Sequence, residues 1–285
     1  MKNSIRIAIL FILVTAAALA AGGCAKDEIM TFDTTQNAIH FPMGNGYTEA
    51  DATFYQSFTF LEDPMAESAV VEIPVDVLGP ASPEERPVSY SIDPEKSTAP
   101  KGSYEILSAT VPAGELTGFI RLKLPNLAEL QDKTYQIVLL LEANEAFKLG
   151  PKNYLKAMFS WNDMLPKPTI TSLIRSYNML VAGEPSFIST SLNSYSSSAH
   201  KAIVAALGWD DWDDANVHGG LSNNASVGYY KYLPRYNVIY NGDLYKAYAA
   251  AFGDYLEEYN AAHPDAPLLH DGGNLAGKPV EARTY

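Results

Sequence analysis

From Ala38 to Trp161 the chain alternates apolar and polar residues with a period of two. In VVEIPVDVL, Val71, Ile73, Val75 and Val77 fall on one face and Glu72, Pro74 and Asp76 on the other. In FIRLKL, Ile120, Leu122 and Leu124 alternate with Arg121 and Lys123. Successive strand side chains point to opposite faces, so each pattern predicts a strand with one buried face. Pro74 has no N–H to give to a ladder and predicts an edge or bulged strand. YQIVLLLE is apolar on both faces, which predicts a central strand, and YLKAMFSW, Tyr154–Trp161, closes the set. Between these runs lie MGNG, EDP, GPASPEERP, DPEKSTAPKG, PAGE and KLGPKN, all rich in turn-forming residues. Several short strands at this spacing predict an antiparallel, immunoglobulin-like β-sandwich over residues 38–162.

The period changes after WNDMLPKP. AHKAIVAAL, Ala199–Leu207, follows Ser196, Ser197 and Ser198 as candidate N-caps and precedes Gly208 as a stop, which predicts a helix. Further on, Leu244, Tyr248, Phe252, Tyr255 and Tyr259 recur at spacings of three and four behind Asp243. They form one stripe of a second helix, ended by His263-Pro264. No element is predicted across residues 169–191. Residues 163–285 read as a smaller, helix-containing region packed on or beside the sandwich, so the expected class is mainly β with a helical C-terminal part.

The first residues read differently again. Ile7–Ala21 is an uncharged apolar run of 15 residues behind Lys2 and Arg6. A bilayer-spanning helix needs about 20. A basic start, a short apolar core and small residues at its end mark a secretory signal peptide, residues 1–23. Cys24, the only cysteine, stands at the seam. It cannot form an internal disulfide, and one thiol makes a poor metal site. Several acyl chains hold a protein to a bilayer stably where one does not, so a triacylated Cys24 would anchor the chain without a spanning helix. Residues 24–37 then form a polar, lipidated tether that includes Lys26, Asp27 and Glu28.

Composition narrows the function classes. The net charge is −13, and removing Lys2 and Arg6 with the signal makes the mature chain two charges more negative. Such a surface repels phosphate backbones, so nucleic acid is not an expected partner, and a basic lipid-reading face is absent. Hydrophobic content of 47% against 19% charged suits a folded chain rather than a disordered one.

Candidate chemistry is sparse. There is no G-x-S-x-G elbow, no H-E-x-x-H helix and no phosphate-cradling glycine loop. His40, His200, His218, His263 and His270 lie without ligand spacing. His270-Asp271 beside a serine suggests a triad, but Asp-Gly-Gly there reads as a turn. Asp210, Asp211, Asp213 and Asp214 crowd within GWDDWDDANVHGG. They lack the alternation of a calcium loop and read as a helix start, with Trp209 and Trp212 packed inward. No metal and no catalytic residue are assigned. In VGYYKYLPRYNVIY the aromatics Tyr229, Tyr230, Tyr232, Tyr236 and Tyr240 interleave with Lys231 and Arg235. Aromatic faces with hydroxyl handles suit ligand or partner contact, or the packing of a half-buried hairpin. Tyr229, Tyr230, Tyr232, Arg235 and Tyr236 are the candidate contact residues.

Two stretches resemble known signals. Ala21-Gly22-Gly23-Cys24 resembles the lipobox of bacterial lipoproteins, with Ala21 where leucine is commoner. Lys26-Asp27-Glu28 resembles the export signal that carries Bacteroidota lipoproteins to the cell surface. The start KDEIM, the strand-rich first half, the DMLPKP junction, SYSSSAHKAIVAALGWDDWDD and LEEYNAAHPDAPLLHDGG together look like a Bacteroidota surface-lipoprotein family with a domain of unknown function. Its members are similar in being encoded beside SusC/SusD-type uptake pairs, and the first half looks like a Calx-beta or immunoglobulin-like module. The resemblance implies an outer-membrane, lipid-anchored protein facing the cell exterior and accessory to such a transporter, with no cofactor beyond the covalent lipid. The alternative is a structural or adhesive surface module without a small ligand; an enzyme is the third reading.

Overall fold

A computed structural model describes residues 37–42, 53–169, 171–208, 232–233 and 242–285. Among these, ten strands form two sheets: β1 Ala38–His40, β2 Thr53–Thr59, β3 Ser68–Leu78, β4 Arg86–Pro87, β5 Ser89–Ile92, β6 Glu105–Val111, β7 Thr117–Pro125, β8 Tyr135–Glu142, β9 Lys148–Leu149 and β10 Lys156–Asn162. One sheet has the order β4-β6-β7-β3-β1-β9 and the other β2-β10-β8-β5. The protein is mainly β, a sandwich with helices after it.

The alternation read from the sequence sets which side chains meet between the sheets. Ile73, Val75, Ile120, Leu122 and Leu124 of the first sheet and Ile137, Leu139, Phe159 and Trp161 of the second belong to one buried cluster. Trp161 stacks on Phe159 at 5.6 Å and meets Tyr104 and Tyr135 edge-on at 6.1 and 5.9 Å. β8 is an inner strand; Val138, on its other face, is also fully buried, and its backbone is held by the 93–98 segment, where Ser97 Oγ accepts from Val138 N and Asp93 N donates to Val138 O.

Two expectations change. β3 is an inner strand of its sheet rather than an edge. Val77 N donates to Leu116 O, so odd-numbered residues of β3 exchange bonds with β7 and Pro74 turns its nitrogen the other way. On that side β1 pairs only with Asp76 to Leu78, and no β1 partner faces the proline. The sandwich is also not wholly antiparallel. β10 runs parallel to β2 over its full length, and β1 runs parallel to β9.

Three helices follow among the described residues: α1 Thr171–Leu180, α2 Ser197–Leu207 and α3 Gly242–Ala262. α2 has Ser196 as its N-cap, the hydroxyl accepting from Ala199 N, and Gly208 ends it at φ 79°. Asp243 lies in the first turn of α3, where a carboxylate faces the positive end of the helix dipole. α1 occupies part of the stretch to which no element was assigned. Its buried face mixes Leu173, Tyr177 and Leu180 with Ser176 and Asn178, and those polar residues blur the stripe.

The helices build a second cluster around Tyr177, Ile203, Leu233, Phe252 and Leu256, against which Met65 of the sandwich packs. One buried ion pair ties the two layers: Asp163, just past β10, with Lys201 on α2. Burial pushes the Asp163 carboxyl above its ordinary value, with the Lys201 ammonium opposing.

Candidate functional site

The polar residues of the helical layer converge on the start of α2. The first N–H groups of a helix have no partner within it; here the Ser196 hydroxyl takes that of Ala199 and the 263–285 tail takes that of Ser198. Asp271 Oδ2 accepts from Ser198 N at 3.1 Å, while Asp271 N donates to Ser198 Oγ and Ser198 Oγ donates to Leu269 O. Ser196 Oγ, already the N-cap, lies 2.9 Å from His270 Nδ1. Tyr177 of α1 accepts from Ser196 N at 3.2 Å. Burial pushes the Tyr177 hydroxyl up to about 12, with the Ser196 contacts opposing. Ser196 and His270 are 1% and 3% exposed. Burial lowers His270 below its ordinary value, and the charges of Asp271 and Glu281 oppose that.

A second histidine sits deeper. His200 is fully buried, with Nε2 3.1 Å from Tyr232 O and Nδ1 3.2 Å from Tyr195 Oη. A carbonyl only accepts, so Nε2 carries the proton and Nδ1 accepts from the tyrosine, which is the neutral tautomer. Burial holds its pKa down to about 4.

The tail then runs antiparallel to the end of α1. Ala182 N donates to Glu281 O and Arg283 N to Leu180 O. The Arg283 guanidinium caps the helix end from outside, Nε donating to Asn178 O and Nη2 to Glu184 O. The Glu184 carboxylate is buried, accepting from the N–H and hydroxyl of Ser194.

Between this tail and the end of α1 opens a cleft of about 260 Å3, lined by Ala182, Gly183, His270, Leu275, Lys278 and Glu281 among others. Its wall demands glycine at position 183. With φ at 141°, an added Cβ would stand 2.7 Å from Leu275 Cδ1 and 2.8 Å from Ser194 Cβ. Its lining brings the charged residues Lys278 and Glu281 and the buried His270 beside apolar Leu275 and Ala182.

Of the residues singled out in the sequence, Ser196 is the N-cap as expected, and His270 and Asp271 come together with Ser196 and Ser198. Tyr232 is half-buried, with its carbonyl held by His200, and Leu233 beside it is fully buried. Cys24, Lys26, Asp27 and Glu28, the contact candidates Tyr229, Tyr230, Arg235 and Tyr236, and the acidic group at Asp210–Asp214 lie outside the described residues. So do Trp209, Trp212, His218 and Tyr240. Lys278, Glu281 and Glu184 carried no sequence signal. Among the described residues no group of three or more His, Cys, Asp or Glu could hold a metal, and no helix is long and apolar enough to cross a membrane.

No curated protein matches this sequence. Among solved structures, a "putative carbohydrate binding protein" from Bacteroides ovatus is 13% identical, with 45% of this chain and 37% of that one covered at a TM-score of 0.32. A protein of unknown function from Bacteroides ovatus is 15% identical over 45% and 44%, with a TM-score of 0.30. A two-domain protein of unknown function from Bacteroides fragilis is 14% identical over 46% of each chain, also at 0.30. The chain spans less than half the length of each. A family model gives the firmer match: residues 32–179, just over half of the chain, fit the domain of unknown function DUF4843, and the protein belongs to that family.

Proposed function

We propose that the protein is a non-catalytic lipoprotein of the outer-membrane surface, an accessory binding component of a SusC/SusD-type nutrient-uptake system. Cys24 carries the lipid, Lys26-Asp27-Glu28 directs the chain outward, and the folded part meets a partner or cargo. Cys24 behind small residues at the end of a short apolar run supports the anchor. The observation that carries the binding role over an enzymatic one is the use made of Ser196, His270 and Asp271. A serine nucleophile needs a free hydroxyl and a base beside it, oriented by a third group. Here Ser196 is 1% exposed and its oxygen accepts from Ala199 N, while the Asp271 carboxylate accepts from Ser198 N. The three residues fasten the tail to α2.

Mass spectrometry of the mature protein tests the anchor: a triacylated Cys24 is expected, and Cys24→Ser should leave the membrane fraction. A variant that remains membrane-bound would assign the anchor to the apolar run instead. Alanine at Lys26, Asp27 and Glu28 together should reduce protease shaving of intact cells at unchanged abundance; equal shaving would make the triplet a tether only.

A further inference from the structure

Two surface features lie along the same extended C-terminal segment. The first is the cleft beside Glu281. Its volume of about 260 Å3 falls below the roughly 300–1,000 Å3 of drug-sized sites, so it suits one ring of a larger ligand. Lys278 and Glu281, both exposed, line that space and bring one cationic and one anionic residue to it. An anion would meet Glu281 and a cation would meet Lys278, whereas vicinal hydroxyls donate to the carboxylate and accept from the ammonium at once. The chain's net charge of −13 further disfavours an anionic polymer.

The second feature is a trio of aromatic rings. Tyr285 lies 4.9 Å from Tyr245 and 6.0 Å from Phe187, and Phe187 lies 5.8 Å from Tyr245. Tyr285 is 49% exposed and neighbouring Ile188 58% exposed. The rings are held rather than loose, since Tyr285 Oη donates to Met179 O at 2.8 Å. Aromatic faces offer the C–H side of a sugar ring a flat apolar surface, and the hydroxyls add polar contacts. Glu281 and Tyr285 are four residues apart in an extended segment, ~13 Å along the chain, which separates the two features by more than one ring.

We propose that the cleft at Lys278 and Glu281 and the platform at Tyr245 and Tyr285 together bind a neutral oligosaccharide, one unit in the cleft and another stacked on the rings. This names the cargo of the binding role proposed above and rests on it.

The test titrates the detergent-solubilised full chain, by calorimetry, with maltohexaose, cellohexaose, xylohexaose and mannohexaose. Hexagalacturonate serves as the anionic control and glycylglycine as the small zwitterion. At least one neutral hexasaccharide should bind, and both controls should bind more weakly. Tyr285→Ala and Glu281→Gln should each weaken that binding by about tenfold or more. Glu281 is exposed, so its substitution should leave the melting temperature unchanged and decides the matter if Tyr285→Ala loosens the tail. The site is overturned if no neutral hexasaccharide binds, if both variants bind like the wild type, or if glycylglycine is preferred. Copurification with the transporter pair, read on the same preparations, reports on the proposed function alone, so the two can fail separately.

Discussion

Replacing Lys201 by methionine should unfasten the helical layer from the sandwich. The methionine keeps most of the apolar stem, so the change is chiefly the loss of the ammonium. The two side chains of the pair are 8% and 1% exposed, and Asp163 would be left as an uncompensated buried carboxylate. Removing one member of a buried pair typically costs ~3–5 kcal/mol, against a total stability of roughly 5–15 kcal/mol. The cost should depend on pH with a definite sign. Burial already holds the Asp163 carboxyl above its ordinary 3.8, and without Lys201 nothing of comparable strength opposes that rise. The folded variant then binds a proton that the unfolded chain releases, so its stability increases as the pH falls. Urea melts at pH 7.5 and pH 5 should show a large deficit at the first that narrows at the second. Asp163→Asn with Lys201→Met should be more stable than Lys201→Met alone at neutral pH. A Lys201→Met deficit below about 1 kcal/mol, or one equal at both pH values, would refute the reasoning.

Other consequences concern the histidines, the cap and the turns. His200 is held at about 4 against an ordinary 6.5, so the unfolded chain takes up its proton first on acidification. Its contribution is complete above pH 6.5 and lost as the pH falls toward 4, on the order of 3 kcal/mol; His200→Gln should flatten the stability profile in that window, and an unchanged slope would clear this residue. Ser196→Ala should cost about 1–2 kcal/mol through the lost cap, read as a lower urea midpoint. Gly273→Ala should cost more than about 1 kcal/mol, because φ is 71° and the new Cβ would stand 2.6 Å from Asn193 O; an unaltered melt would show that the 193–195 segment can yield.

Much of the sandwich could be read from alternation alone. Burial along β3 and β7 follows the sequence pattern residue by residue, because one buried face leaves no freedom of register. β8 was legible as central because both of its faces are apolar, which suits a strand flanked on each side. Pairing direction was not: β2 and β10 are far apart in sequence, and nothing in either strand marks it as parallel. α1 escaped because Ser176 and Asn178 are buried by satisfying local carbonyls, Ser176 with Ser172 O and Asn178 with Ser189 O and Ser191 O. Hydropathy does not record such bonds. The cap of α2 was visible in the serine run, but its partners His270 and Asp271 lie more than 70 residues away. The cleft is assembled wholly from such distant pieces, so Lys278 and Glu281 look like ordinary surface charges in the sequence.

The role in uptake is tested most directly by affinity purification of the tagged protein from gently solubilised outer membranes, with mass spectrometry of what accompanies it. A SusC/SusD-type pair should be recovered with the wild type and lost with Cys24→Ser, which should no longer reach the membrane. Recovery of the wild-type protein without any such pair would contradict the uptake role, and fimbrial subunits in its place would favour an adhesive one.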